Sequence, residues 1–246
     1  GKMTRLLSRH EDNPAVTANY LATLDQLSGA RRLRLRQGQW SASQGAVYDS
    51  WDAATHLIDR FDIPAHWRRI RAIDLGFSNP FVCQWWAIDP DGRMYLYREI
   101  YHTRRLVEDH ARQIVQLSAG ESIEATLADH DAEDRATLHR HGVMTQPARK
   151  AISQGIQLVQ SRLRNAADGR PRLMLLRDSL VETDFRLADA RLPDRTEQEF
   201  DSYVWDTRQT RELPIDANNH GLDALRYAVA YVDADTTNKL SLQVIG

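Results

Sequence analysis

The chain has 246 residues, enough for one large domain or for one domain with an appendage. Its 42% hydrophobic and 27% charged content is ordinary for a globular protein, and no apolar run approaches the roughly 20 residues that a membrane helix needs. The formal net charge of −2 gives no basic excess of the kind that marks many nucleic-acid binders, and the one cysteine, Cys83, excludes an intrachain disulfide and a Cys-based zinc site.

The opening, Gly1-Lys2-Met3-Thr4, lacks the apolar core of a signal peptide. Asn13-Pro14 is a helix-start signal, followed by Leu21, Leu24 and Leu27 at helical spacing and ended by Ser28-Gly29. A basic run from Arg31 to Arg36 and a loop-like stretch from Gly38 to Gly45 follow. Residues 1–45 therefore read as the end of a preceding domain with its linker, and the chain as a piece of a larger protein. The pattern is α/β over residues 46–235, and residues 236–246 form a tail.

Within the α/β part, Ala46-Val47-Tyr48 is a short strand. The next strand, Arg68 to Asp74, has an apolar body in Ile70, Ala72 and Ile73 and ends on a carboxylate followed by Leu75-Gly76. Asp74 either caps a turn there or faces a cleft. Phe81 to Ile88, with Cys83 as a small core residue, forms a hairpin with Met94 to Tyr101 across the Asp89-Pro90-Asp91-Gly92 turn, where Pro fixes φ and Gly permits φ > 0. Thr103 is the expected cap of a helix whose inner stripe is Leu106, Val107, His110, Ala111, Ile114 and Val115. Ile123 to Ala128 is a buried strand that also ends on an acid, Asp129. A helix from Ala132 to Arg140 stops at Gly142, and Ser153 is the expected cap of the next, with Ile156, Val159 and Leu163 inward. Arg172 to Leu176 is a strand, Ser179 to Leu192 a helix, and Thr196 with Glu199 has capping-box spacing. Tyr203-Val204-Trp205 is a short strand. The closing helix, Asn218 to Val232, buries Leu222, Leu225, Ala228, Val229 and Val232, and carries His220 and Asp223 three apart on one side. The order predicts a central mixed β-sheet flanked by helices.

Three acids stand at element ends: Asp74, Asp129 and Asp223. In an open sheet neighbouring strand ends share a rim, and a last helix lying across the sheet brings Asp223 to it. Clustered carboxylates need a cation, and hard oxygen donors suit Mg²⁺ or Mn²⁺. Two such ions about 4 Å apart can hold an attacking water and a leaving oxygen in phosphodiester cleavage. His220 either orients a ligand or a water, or is a satisfied helix-terminal histidine. Asp131 either supports Asp129 or, with Glu133 and Asp134, starts a helix where acids complement the dipole. Glu99, within a strand, is a weaker candidate. Lys150, with Arg149, is either a phosphate contact before a helix or a solvated pair. Lysine occurs only at positions 2, 150 and 239. Arginine, which carries the rest of the positive charge, favours bidentate phosphate contacts, although codon bias gives the same composition. No GxxxxGK[ST] loop, GxGxxG turn or GxSxG elbow occurs, which speaks against an ATPase, a dinucleotide enzyme and an α/β-hydrolase.

An ordered set of short stretches resembles one family: His10-Glu11-Asp12-Asn13-Pro14, Leu35 to Trp40, Arg71-Ala72-Ile73-Asp74-Leu75-Gly76, Leu127-Ala128-Asp129, Lys150 leading into Gly155-Ile156, and His220-Gly221-Leu222-Asp223-Ala224-Leu225-Arg226-Tyr227. The chain is similar to the C-terminal nuclease domain of the large terminase subunit of tailed bacteriophages. The resemblance implies a ribonuclease H-like fold and a metal-dependent endonuclease that cuts concatemeric duplex DNA at the initiation and termination of packaging. Carried over by position, Asp74, Asp129 and Asp223 are the metal-binding acids for two Mg²⁺ or Mn²⁺ ions, with Asp74 shared. Asp129 is followed by His130 and Asp131, which departs from the family's usual surroundings and leaves Asp129 and Asp131 as alternatives for the second ligand. The opening segment corresponds to the end of the family's ATPase domain without its phosphate loop, so this chain is expected to cut DNA but not to translocate it. Implied partners are double-stranded DNA and, in the full-length protein, an ATPase domain, the small terminase subunit and the portal, with no membrane; the implied location is the cytoplasm of the infected host. Two rivals remain: another ribonuclease H-like enzyme such as a junction resolvase or transposase core, and a non-catalytic domain that docks on portal or small subunit.

Overall fold

The computed structural model describes residues 45–129, 131–206, 208 and 213–244, the side chains after 234 excepted. The expected helix from Asn13, the basic run Arg31 to Arg36 and His130 lie outside the described residues.

Seven strands form one mixed sheet: β1 Leu57–Ile58, β2 Arg68–Asp74, β3 Phe81–Ile88, β4 Met94–His102, β5 Ala125–Ala128, β6 Gln146–Pro147 and β7 Leu173–Leu176, in the order β1-β7-β4-β3-β2-β5-β6. β3 runs antiparallel to β2 and β4, and the other pairings are parallel. The expected β3–β4 hairpin is present, with Gly92 at φ 79° and its N–H 2.9 Å from the Asp89 carbonyl.

Every residue of β3 is buried, as befits a central strand with helices on both faces. On one face, Ile70, Ala72, Val82, Trp86 and Leu96 pack with Ile156, Val159 and Leu163 of α4 (Ile152–Leu163) and with Leu222, Leu225, Ala228 and Val229 of α7 (His220–Val244). On the other, Ile73, Phe81, Cys83, Trp85 and Tyr97 pack with Ala111 and Ile114 of α2 (Val107–Leu117) and Leu138 of α3 (Ala132–Arg140). The alternation in β2 extends to its arginines. Arg69 and Arg71 point to the second face, where four backbone carbonyls of the 63–67 segment accept from Nη1 and Nη2 of Arg69, and the Thr126 and Ser118 hydroxyls accept from Arg71. Asp74 therefore shares the parity of Ile70 and Ala72 and faces α7.

A β-bulge sets a second residue on that face. The β3–β4 register shifts between Trp85 and Trp86, so Trp85 pairs with Arg98 while Trp86 pairs with Leu96. Tyr97 is the extra residue, and beyond it the alternation of β4 changes phase. Tyr95 and Tyr97 lie with the α2 core, whereas Tyr101, with the same odd numbering, lies with the α7 core.

Several local expectations are corrected. Ala46 and Val204 make only an isolated bridge, as do Trp205 and Pro214, so neither Ala46–Tyr48 nor Tyr203–Trp205 adds a strand to the sheet. α2 begins after Leu106, which has no capping side chain and is 54% exposed, while Val115 faces outward. Thr103 instead donates to Asp184 from both its N–H and its hydroxyl. The N-cap of α4 is Ala151 rather than Ser153. Of the expected helix Ser179 to Leu192 only α5 (Phe185–Asp189) forms, capped by Asp184. Thr196 and Glu199 do not make a capping box: the one-turn α6 (Thr196–Glu199) starts after Arg195, and Glu199 serves another helix. α7 runs past its expected end at Val232 to Val244. Too short for a periodic signal, α1 (Ala53–His56), β1 and β6 escape the sequence.

Candidate active site

The site forms where parallel strands end. β2 and β5 are parallel neighbours, and their last rung joins Ile73 to Ala128. The next residue on each is an acid, Asp74 and Asp129, so sheet register alone makes them neighbours on the carboxyl rim, where open α/β sheets bind ligands. α7 lies across β2, β3 and β5 and starts at this rim, which brings His220 and Asp223 into place. Gly76 allows the chain to double back just after Asp74: a Cβ there would stand 2.5 Å from the Pro80 carbonyl oxygen.

Asp74, Asp129 and Asp223 line one cleft of about 460 Å³ together with Lys150, Ile152, Tyr203, Asp216, Asn219, Arg226 and Tyr227. Asp74, Asp129 and Asp223 each have a basic partner. His220 Nδ1 lies 3.0 Å from Asp74 Oδ2, and the Tyr227 hydroxyl makes a longer 3.4 Å contact to Oδ1. Asp129 is ion-paired with Lys150. Arg226 Nη2 donates to Asp223 Oδ1 at 2.7 Å, with the buried guanidinium 5.2 Å from the Tyr227 ring centroid. Burial pushes the Asp74 carboxyl up from the usual carboxylate range; the bond from His220 opposes the shift, and the Asp223 charge adds to it.

Gly155 of α4 makes room for Arg226. A Cβ on Gly155 would stand 2.5 Å from Arg226 Cγ. A helix-interior glycine costs up to about 1 kcal/mol relative to alanine, and here the vacated volume is filled by the arginine stem that reaches Asp223.

The sequence candidates separate in space. Asp131 is the N-cap of α3, accepting 3.0 Å bonds from the N–H groups of Glu133 and Asp134, and does not line the cleft. Arg149 lines the grooves beside α7, next to Ala234, while Lys150 points into the acid cleft. Glu99 is buried away from the cleft against Thr196 and Gln84, and burial raises its carboxyl to about 7. Sequence reasoning missed Arg226 as the partner of Asp223, although its i, i+3 spacing was a usable signal. It also missed Tyr203, Asp216 and Asn219, which reach the cleft from an irregular segment that has no period to read.

The donor set tests the fit to a cation. Three carboxylates on one rim are the hard oxygen ligands that Mg²⁺ and Mn²⁺ take. Among the described residues no three His, Cys, Asp or Glu side chains converge closely enough to close around an ion as they stand. The acids are turned toward Lys150, Arg226 and His220, so basic groups stand where cations would neutralise the acids. Residues Asp74, Asp129 and Asp223 fit a divalent cation by type and by cleft, with these ion pairs as the contacts to be exchanged.

No family model matches the chain, and no curated protein sequence matches it. Solved structures do. A large terminase from a thermophilic bacteriophage superposes with a TM-score of 0.69 at 20% identity over 90% of this chain and 53% of that one, so the chain spans about half the length of that terminase. The P22 large terminase nuclease domain matches with a TM-score of 0.56 at 19% identity over 76% of this chain and 91% of that one. The large terminase nuclease of the thermophilic phage G20c matches with a TM-score of 0.51 at 15% identity, over 76% and 97% respectively. The mixed sheet between helical layers is thus a ribonuclease H-like fold, the one used by phage terminase nuclease domains.

Proposed function

We propose that this chain is a metal-dependent endonuclease for duplex DNA, the cutting part of a viral DNA-packaging motor that acts when packaging starts and ends. The observation that supports it most is the meeting of Asp74, Asp129 and Asp223, from three elements, on one cleft at the strand ends of a ribonuclease H-like fold. Two bound Mg²⁺ or Mn²⁺ ions supply Lewis acidity for the developing charge at phosphorus and lower the pKa of water. Asp74, Asp129 and Asp223 would hold them: the sheet register sets Asp74 beside Asp129, and the Asp223 charge acts on Asp74.

The remaining side chains prepare those acids. His220 fixes the Asp74 carboxylate through Oδ2, and among the described residues Oδ1 keeps a long contact to Tyr227. Arg226 orients Asp223 through a buried guanidinium. Lys150, when Asp129 exchanges it for another cation, keeps its ammonium at the cleft for a phosphate oxygen, and Arg149 offers a second phosphate contact along the neighbouring groove. In a longer protein the partners are an ATPase domain, the small terminase subunit and the portal, and the setting is the cytoplasm of an infected bacterium.

Plasmid nicking in Mg²⁺ or Mn²⁺ tests this reading. The parent is expected to cut, and Asp74→Ala to cut at least about 100-fold more slowly. Equal cutting by the variant would overturn the site. A strong preference for branched DNA would point instead to a resolvase.

A further inference from the structure

The first turn of α7, which carries His220 and Asp223, is capped by a side chain from another helix. The first backbone N–H groups of a helix lack partners within it, and a local Ser, Thr, Asp or Asn side chain usually satisfies them. Here the Gly221 N–H donates to Glu199 Oε1 at 3.0 Å and the Leu222 N–H to Glu199 Oε2 at 2.8 Å. Glu199 lies on α6 and is fully buried. The same Oε1 accepts the Tyr101 hydroxyl at 2.6 Å, so one carboxylate ties α6 to both α7 and β4.

A second set of bonds locks the same joint. The Thr196 N–H donates to Glu99 Oε2 at 3.2 Å, anchoring α6 to β4. Gln84 Nε2 lies 2.6 Å from Thr196 Oγ1 and 2.8 Å from the Gly221 carbonyl, which joins β3, α6 and α7. The helices touch with no room between them: a Cβ on Gly221 would stand 2.2 Å from Thr196 Oγ1 and 2.9 Å from Thr196 Cα. His220, which bonds Asp74, immediately precedes Gly221.

We propose that Glu199 is a positioning residue of the candidate site: by clamping the first turn of α7 to β4 it sets where His220 and Asp223 stand relative to Asp74. Two fully buried carboxylates, Glu99 and Glu199, carry a desolvation cost. A local polar cap would satisfy the same N–H groups without that cost. What the distant carboxylate adds is the tie to the sheet that bears Asp74. The activity arm of the test rests on the nuclease reading, but the placement of His220 does not.

The test uses the full chain with Glu199→Gln, which keeps the shape but replaces one acceptor oxygen by a donor, and Tyr101→Phe, which removes one of the three donors. Circular dichroism reports the fold, and nitrogen-15 NMR of the His220 ring reports its bond to Asp74. In Glu199→Gln the fold is expected to persist while the His220 signal shifts. Nicking kcat should fall about 10- to 100-fold, the range for a small misplacement of a catalytic group, while KM for DNA changes less than about threefold. A folded Glu199→Gln with parental His220 signal and kcat overturns the proposal. A parent that binds DNA but never cuts defeats the nuclease reading alone, and the His220 signal still decides on Glu199. Where Glu199→Gln does not fold, Tyr101→Phe decides: a shifted His220 signal supports the clamp, and an unchanged one overturns it.

Discussion

Asp74 is buried, faces a second acid and carries its own basic partner. That combination separates it from the solvated carboxylates that make up most of the chain's 34 Asp and Glu residues. Its position at the end of an apolar strand was legible in the sequence, but that strand alone left open whether Asp74 capped a turn or faced a cleft; Asp129 and Asp223, the other acids at element ends, pointed to the cleft. Glu199 was not legible, because its partners are Gly221 and Leu222, far along the chain, and its spacing from Thr196 imitates a local cap. Glu99, a weaker candidate in the sequence, is turned toward the α7 side by the phase change at Tyr97, which leaves no mark in residue type. Its carboxyl, raised by burial from 4.5 to about 7, gives a pH prediction. A raised folded-state value means that the native state holds the proton more tightly, so this contribution is complete below pH 4.5 and is lost as pH rises through 7. Relative to Glu99→Gln, the parent should lose roughly 3 kcal/mol of unfolding free energy across that window. Urea unfolding of both proteins at several pH values measures it, and parallel pH profiles would contradict it.

At the scale of elements, α4 and α7 meet where Gly155 receives Arg226. Alanine at 155 gains up to about 1 kcal/mol of helix propensity, but overpacking a filled core costs about 1–3 kcal/mol. The Arg226 stem is buried and is met at Cγ rather than at its flexible end, so the steric cost should win. Gly155→Ala is expected to destabilise the protein by about 1 kcal/mol and to loosen the Arg226–Asp223 pair. Denaturant unfolding gives the first result, and a gain in stability would contradict it. β2, β3 and α3 were readable at their observed bounds, whereas β4 runs one residue past its expected end at Tyr101 and β5 starts two residues after its expected start at Ile123. The helix expected over Ser179 to Leu192 was not, since Asp184 caps only a short turn and the segments on either side bond β4 or coil.

At the scale of the whole molecule, the sheet sorts its faces: one packs on α2 and α3, and the other carries α4, α7 and the acids. If the chain acts on DNA as proposed, Lys150 and its basic neighbours would meet phosphates, and binding should weaken with salt. Lys150→Ala is expected to lower the slope of log K against log salt by about 1 and to weaken binding evenly across sequences. Fluorescence anisotropy over a salt series measures this, and an unchanged slope removes Lys150 from the DNA contact. The mixed sheet flanked by helices followed from the order of strands and helices, but the meeting of the acids depended on the β2–β5 register, which no residue pattern encodes. The most direct measurement of the central claim is anomalous X-ray scattering from crystals of this chain grown with Mn²⁺. Peaks among Asp74, Asp129 and Asp223 are expected, with Lys150 displaced from Asp129. Mn²⁺ bound elsewhere, with the Asp129–Lys150 and Asp223–Arg226 pairs intact, would contradict it.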